Sequence, residues 1–177
     1  FQSWSYSSGL PEEIKAKLEN MRAVDQSKVD ELKRICSRPS DGQGESPDSR
    51  GAYEVMVFGD QVGPFYNTGR NTNTYLPESG TMSAEYHCYD GETLEELKLK
   101  DIFREGVDYR AVLEQAVRKA QPGTYDAGIL DGTEGFNLQS DALVVAVPDP
   151  AAQNHYGSMN LYIPYKDIGC ENLNIFD

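Results

Sequence analysis

Two histidines, three cysteines and 29 carboxylates are the groups in this 177-residue chain that could move protons, attack a carbonyl or ligate a metal. His87 stands in the strand-like run Ala84-Glu85-Tyr86-His87-Cys88-Tyr89, and His155 in a loop-like stretch. Neighbouring residues of a strand point to opposite faces, so His87 and Cys88 do not make a nucleophile–base pair. No G-x-S-x-G elbow is present to carry a serine nucleophile. The glycines at Gly42 and Gly44, and those from Gly128 to Gly135, lack the spacing of a phosphate loop and do not lead into helices. Cys36, Cys88 and Cys170 match no zinc spacing. Asp126, Asp131 and Glu134 share an acidic loop, but the D-x-D-x-D-G pattern of a calcium loop is missing. No cofactor or metal is therefore expected, and no residue is assigned a catalytic role. A carboxylate pair for glycoside hydrolysis would have to come from the acids, and nothing marks any two of them.

Recognition has better candidates than catalysis. The chain holds 11 tyrosines, whose rings pack while their hydroxyls stay wet. Tyr66, Tyr75, Tyr86, Tyr89 and Tyr156 are the candidate contact aromatics. The formal net charge is −13. Such a chain lacks the basic footprint that displaces counterions from nucleic acid, and anionic membrane surfaces repel it. A cationic partner is compatible with it, although net charge serves solubility first. No apolar run approaches the roughly 20 residues needed to span a bilayer, so this fragment is expected not to insert into membranes. No signal peptide is visible, and the chain opens on Phe1. It is read as a mature form or a trimmed piece of a longer protein, with any signal or anchor lying elsewhere. An oxidising compartment admits one disulfide, for which Cys88 and Cys170 are the candidate pair. Three free thiols are the alternative.

These residues must be positioned by a mixture of strands and helices. Gln2 to Ser7 alternates aromatic and polar residues, as a short half-buried strand does. Pro11-Glu12-Glu13 opens a helix, and apolar residues from Ile14 to Ile35 recur at helical spacing to about residue 36, with a jog near Asp25 to Ser27. Residues 37–50 contain no apolar side chain and read as a surface loop. Tyr53 to Phe58 reads as a strand and Phe65-Tyr66 as the start of another. Asn67 to Gly80, rich in Asn, Thr and Gly, reads as loop. Ala84 to Tyr89 is a strand closed by the Asp90-Gly91 turn. Asp108 is positioned to cap a helix carrying the stripe Tyr109, Val112, Leu113, Ala116, Val117 and Ala120. Phe136 to Leu138, the central Leu143 to Val147 and Met159 to Tyr165 are further strands. This order predicts an α+β fold, an antiparallel sheet with helices packed on one side, over a single unit of 1–177.

Several segments of the second half form a pattern. Leu97-Lys98-Leu99-Lys100-Asp101-Ile102-Phe103 is followed by Gly106-Val107-Asp108-Tyr109 and the helix to Ala120. Phe136-Asn137-Leu138, Asp141 to Val145 and a closing Ile163-Pro164-Tyr165 complete it. Together they resemble a bacterial extracytoplasmic domain of unknown function, found at the C-terminus of RsiV-type anti-sigma factors and beside some polysaccharide deacetylases. The first half, 1–93, resembles its companion domain through Gly9-Leu10-Pro11-Glu12-Glu13 and Asn20; the second half, 94–177, is RsiV-like. The G-G-A-H stretch usual in that family is replaced by Asn67-Thr68-Gly69-Arg70-Asn71. The resemblance implies a surface or secreted bacterial module, a piece of a lipoprotein or membrane-anchored sensor. Its implied ligand class is a lysozyme-like cationic protein or peptidoglycan. The competing readings are an envelope glycan hydrolase with paired carboxylates and a structural spacer of a longer surface protein.

Overall fold

The computed structural model describes residues 1–36, 52–76, 79–120, 122–123, 128, 130–131, 133, 135–148 and 157–176. The first strand, β1 (Gln2–Tyr6), is followed by two helices, α1 (Glu12–Met21) and α2 (Gln26–Cys36). The single helix expected over 11–36 is thus two. The jog is a real break, because Asp25 Oδ1 accepts the Ser27 backbone N–H at 3.1 Å and caps a new helix. Ile14, Leu18 and Met21 form the buried stripe of α1.

A long meander comes next: β2 (Ala52–Val62), β3 (Phe65–Leu76) and β4 (Ser79–Asp90), followed by the two-residue β5 (Glu96–Leu97). Gly63-Pro64 closes the first hairpin, with Gly63 at φ +56, as two-residue hairpin loops require. The sheet order is β1-β2-β3-β4-β5. β1 runs parallel to β2, with Gln2 opposite Val55 and Tyr6 opposite Gly59. The sheet is therefore mixed rather than purely antiparallel. Parallel neighbours need a long crossover, which α1 and α2 supply.

The stretch 67–80, expected to be loop, is mostly strand. Its Asn, Thr and Gly residues favour turns locally, but β3 is hydrogen-bonded to a neighbour on each side, and tertiary pairing overrides that weak preference. Gly69 belongs there for a packing reason. The Phe58 ring lies where its Cβ would be.

A second, three-stranded antiparallel sheet has the order β6-β7-β8: β6 (Gly135–Leu138), β7 (Ala142–Pro148) and β8 (Ser158–Pro164). Ala142 to Val147 of β7 are all buried. Val144 and Ala146 pack with Ala84 and Tyr86 of the large sheet. Leu143, Val145 and Val147 pack in the cluster of α3 (Tyr109–Ala120) with Leu113, Ala116 and Val117. Burial on both faces explains why the run Leu143 to Val147 is apolar without alternation. Asp108 Oδ1 accepts the Ala111 N–H at 3.2 Å and starts α3 in the capping role read from sequence, and Asp101 Oδ2 accepts the Lys98 N–H at 2.8 Å. The tail returns through a short helix, α4 (Tyr165–Ile168), and docks by Leu173, which is fully buried opposite Phe103.

Two devices join the sheets. Gly135, at φ +127, sits where a side chain would strike the Tyr86 carbonyl oxygen, so β6 can approach β4. Asn67, fully buried, donates to the Leu138 carbonyl at 2.8 Å and accepts the Leu138 N–H at 3.0 Å. It also donates to Asp60 Oδ1 at 2.8 Å.

Candidate functional site

Strand parity builds the site. Glu85, His87 and Tyr89 point to one face of β4, and Glu96 of β5 stands opposite Tyr89 on that face. His87 Nδ1 lies 2.5 Å from Glu96 Oε1, and Nε2 lies 3.0 Å from Glu85 Oε1. Its ring stacks on Tyr89 at a centroid distance of 6.3 Å. The Glu85 hydrogen bond, followed by that of Glu96, outweighs burial and raises the His87 pKa to about 8. The same bond holds Glu85 below the usual carboxylate range, with Arg70 assisting. An imidazolium therefore joins two carboxylates at neutral pH. With both ring nitrogens engaged, His87 offers no lone pair to abstract a proton. Glu85 is held ionised and is no general acid.

His87 and Glu96 of the triad border a cleft of about 260 Å³. Leu97, Leu99, Leu130 and Phe136 form its apolar lining, and Lys98, Arg110 and Thr133 add polar groups. Arg110 Nη1 donates to Asp131 Oδ1 at 2.8 Å, which places one acid of the supposed calcium loop in an ordinary ion pair. Asp126 and Glu134 lie outside the described residues. Among the described residues no group of three or more His, Cys, Asp and Glu is arranged to hold a metal ion. Along the same edge, Glu85, Glu92, Glu95 and Glu96 are exposed.

Cys88 points away from His87 into the core, as strand parity required. Burial, with Asp60 and Asp90 adding to it, pushes its thiol up to about 12. The candidate Cys88–Cys170 disulfide is absent. Cys88 is buried in β4 while Cys170 is exposed beyond α4, and both are free. The Cys36 side chain lies outside the described residues.

The tyrosines expected to make contacts scatter. Tyr86 and Tyr89 are each 3% exposed and belong to the interior, correcting their reading as surface aromatics. The cause is that β4 is covered on both sides: Tyr86 lies under Val144 and Ala146 and donates to Asn71 Oδ1 at 3.0 Å, while Tyr89 packs in the cluster of Ile14 and Leu18. Tyr66, cross-strand partner of Tyr89, is half-buried against the same cluster. Tyr75 is exposed towards the end of β3. Tyr156 and His155 lie outside the described residues. The sequence reading gave the Glu85–His87–Glu96 triad no role. Its signal was the alternation Glu85-x-His87-x-Tyr89, but Glu96 joins only through the β4–β5 pairing.

No family model matches the chain, and no curated protein matches it by sequence. Among solved structures, a DUF3298 family protein from Pseudomonas aeruginosa PAO1 is similar at 17% identity and a TM-score of 0.44, over 70% of this chain and 63% of that one. A member of the same family from Bacteroides fragilis is similar at 18% identity and a TM-score of 0.43, over 89% of this chain and 68% of that one. The chain thus spans less than two thirds of the Pseudomonas protein. The family of both neighbours is a domain of unknown function. Among the described residues no helix is long and apolar enough to cross a membrane.

Proposed function

We propose that this chain is a non-catalytic, extracytoplasmic bacterial binding module whose β4–β5 edge receives a cationic protein of the lysozyme kind. The observation that carries the reading is the acidic ledge beside the cleft. Glu85, Glu92, Glu95 and Glu96 stand exposed there, on a chain of net charge −13. Complementary potentials steer encounter and select partners, and an apolar cleft beside the ledge gives the partner surface to bury. The ionised Glu85 and the doubly engaged His87 favour recognition over acid–base chemistry. The resemblance of the second half to the RsiV-type domain, and of the first half to its companion, points to the same ligand class and to a place in a longer surface protein.

The test is a calorimetric titration of the purified chain with lysozyme at low and high salt, with soluble peptidoglycan fragments as a second titrant. Binding that weakens at high salt and in the double variant Glu92→Gln/Glu95→Gln supports the reading. Absence of lysozyme binding at low salt refutes it, and binding of the glycan fragments alone would move the ligand to the cell-wall polymer.

A further inference from the structure

The half of the large sheet's helix-facing surface that α1 leaves open holds a second cleft. Its cross-strand rows are Arg70 opposite Glu85 and Thr72 opposite Ser83. Tyr53 of β2 and Asp25 and Lys28, where α2 begins, complete a lining around about 300 Å³, at the lower end of small-ligand sites.

Two carboxylates and two cations line this cleft, and although Arg70 and Lys28 lie close enough to Glu85 and Asp25 to help hold them ionised, no direct ion pair joins them. Asp25 is occupied with Ser27, accepting from its backbone N–H and its hydroxyl. Glu85 is occupied with His87 at 3.0 Å. Among the described residues no carboxylate lies within 4 Å of the Lys28 or Arg70 cationic nitrogens. The Arg70 Nε is buried with no hydrogen-bond partner. Native structures rarely leave such a donor unsatisfied, and each exception asks for an explanation. The overall charge of −13 repels anions at a distance, so two cations without a direct ion pair among the described residues, one with a buried unsatisfied N–H, stand out beside two hydroxyls.

We propose that this cleft is a binding site for a small oxyanion, a carboxylate or phosphate group, held between the Arg70 guanidinium and the Lys28 ammonium with the Thr72 and Ser83 hydroxyls as further donors. The guanidinium fork suits either group. The site shares only Glu85 with the β4–β5 ledge of the cationic-protein reading, and its anion is held by Arg70 and Lys28, so either reading can fail alone.

The experiment is a chemical-shift titration of the isotopically labelled chain with inorganic phosphate and, separately, with acetate, each at constant ionic strength in chloride. The Thr72 and Ser83 amides are expected to shift saturably. Arg70→Gln should raise the dissociation constant about tenfold or more, as loss of a charge-assisted fork does. Lys28→Gln, at an exposed position, should raise it about two- to fivefold, the size of an exposed charge contact. It decides the matter if Arg70→Gln fails to fold. A response to phosphate alone assigns a phosphate-bearing ligand, a response to acetate alone a carboxylate-bearing one, and a response to both an unselective oxyanion site. No saturable shift with either anion overturns the site, as does binding that Lys28→Gln leaves unchanged.

Discussion

Replacing Asn67 with alanine should loosen the junction on which the candidate site is built. The Asn67 amide satisfies both backbone groups of Leu138 and one oxygen of Asp60, all at 2.8–3.0 Å. It is fully buried, and Leu138 is 2% exposed. Asn67→Ala strands the Leu138 N–H and C=O between the sheets, and each unsatisfied buried group costs about 1–3 kcal/mol. The sum is about 4 kcal/mol, a large part of the roughly 5–15 kcal/mol that holds a typical domain together. Urea unfolding followed by circular dichroism should show the unfolding free energy falling by that amount, read as a lower midpoint at an unchanged slope. A second variant separates lost bonding from lost volume. Asn67→Asp keeps the shape and one acceptor but turns the amide donor into an oxygen facing the Leu138 carbonyl and the Asp60 carboxylate. The new carboxyl, buried beside those acceptors, has a folded pKa above its unfolded value. Its penalty is therefore present at neutral pH and relieved as pH falls through the folded value, when a protonated oxygen can donate again. Asn67→Ala costing less than about 1 kcal/mol, or an Asn67→Asp stability with the pH dependence of the parent chain, would refute the bridging role.

Two further outcomes follow from the site. The His87 pKa is raised to about 8 from an ordinary 6.5, so its contribution to stability is fully present below about pH 6.5 and is lost as pH rises through about 8. Both glutamates are half-exposed, so solvent screening reduces that contribution to about 1 kcal/mol. Unfolding midpoints at pH 6 and pH 9 should therefore differ by more in the parent chain than in His87→Gln; equal differences would show that the triad holds no net charge coupling. Cys170 is exposed while Cys88 is buried with its thiol at about 12. Iodoacetamide at pH 8 should accordingly label Cys170 in the folded chain and reach Cys88 only on denaturation, as peptide mass analysis would read; rapid labelling of Cys88 would contradict its placement.

Local signals were sufficient wherever one segment carries its own explanation. The α1 and α3 stripes, the cap at Asp108 and the unbroken apolar run Leu143 to Val147 can be read from spacing and residue type, because each depends on periodicities of a few residues. So can the opposite facing of His87 and Cys88. Composition misleads where pairing decides. Residues 67–76 have the Asn, Thr and Gly content of a loop, and they are strand because β2 and β4 flank them in register. The parallel placement of β1 depends on how a helical crossover packs, which no local pattern encodes. The aromatic content of β4 marks a strand but does not say that a second sheet and α1 cover its two faces, so Tyr86 and Tyr89 read as contact residues when they are core. The His87–Glu96 contact, the Asn67–Leu138 bridge and the Arg70–Lys28 cleft each join residues separated by at least nine positions along the chain. Sequence alone therefore determined the elements that carry their own periodicity, the acidity and the α+β class. Tertiary structure alone decided which charges meet, because a distance between side chains on different strands is set by sheet register and layer packing, to which residues remote in sequence contribute.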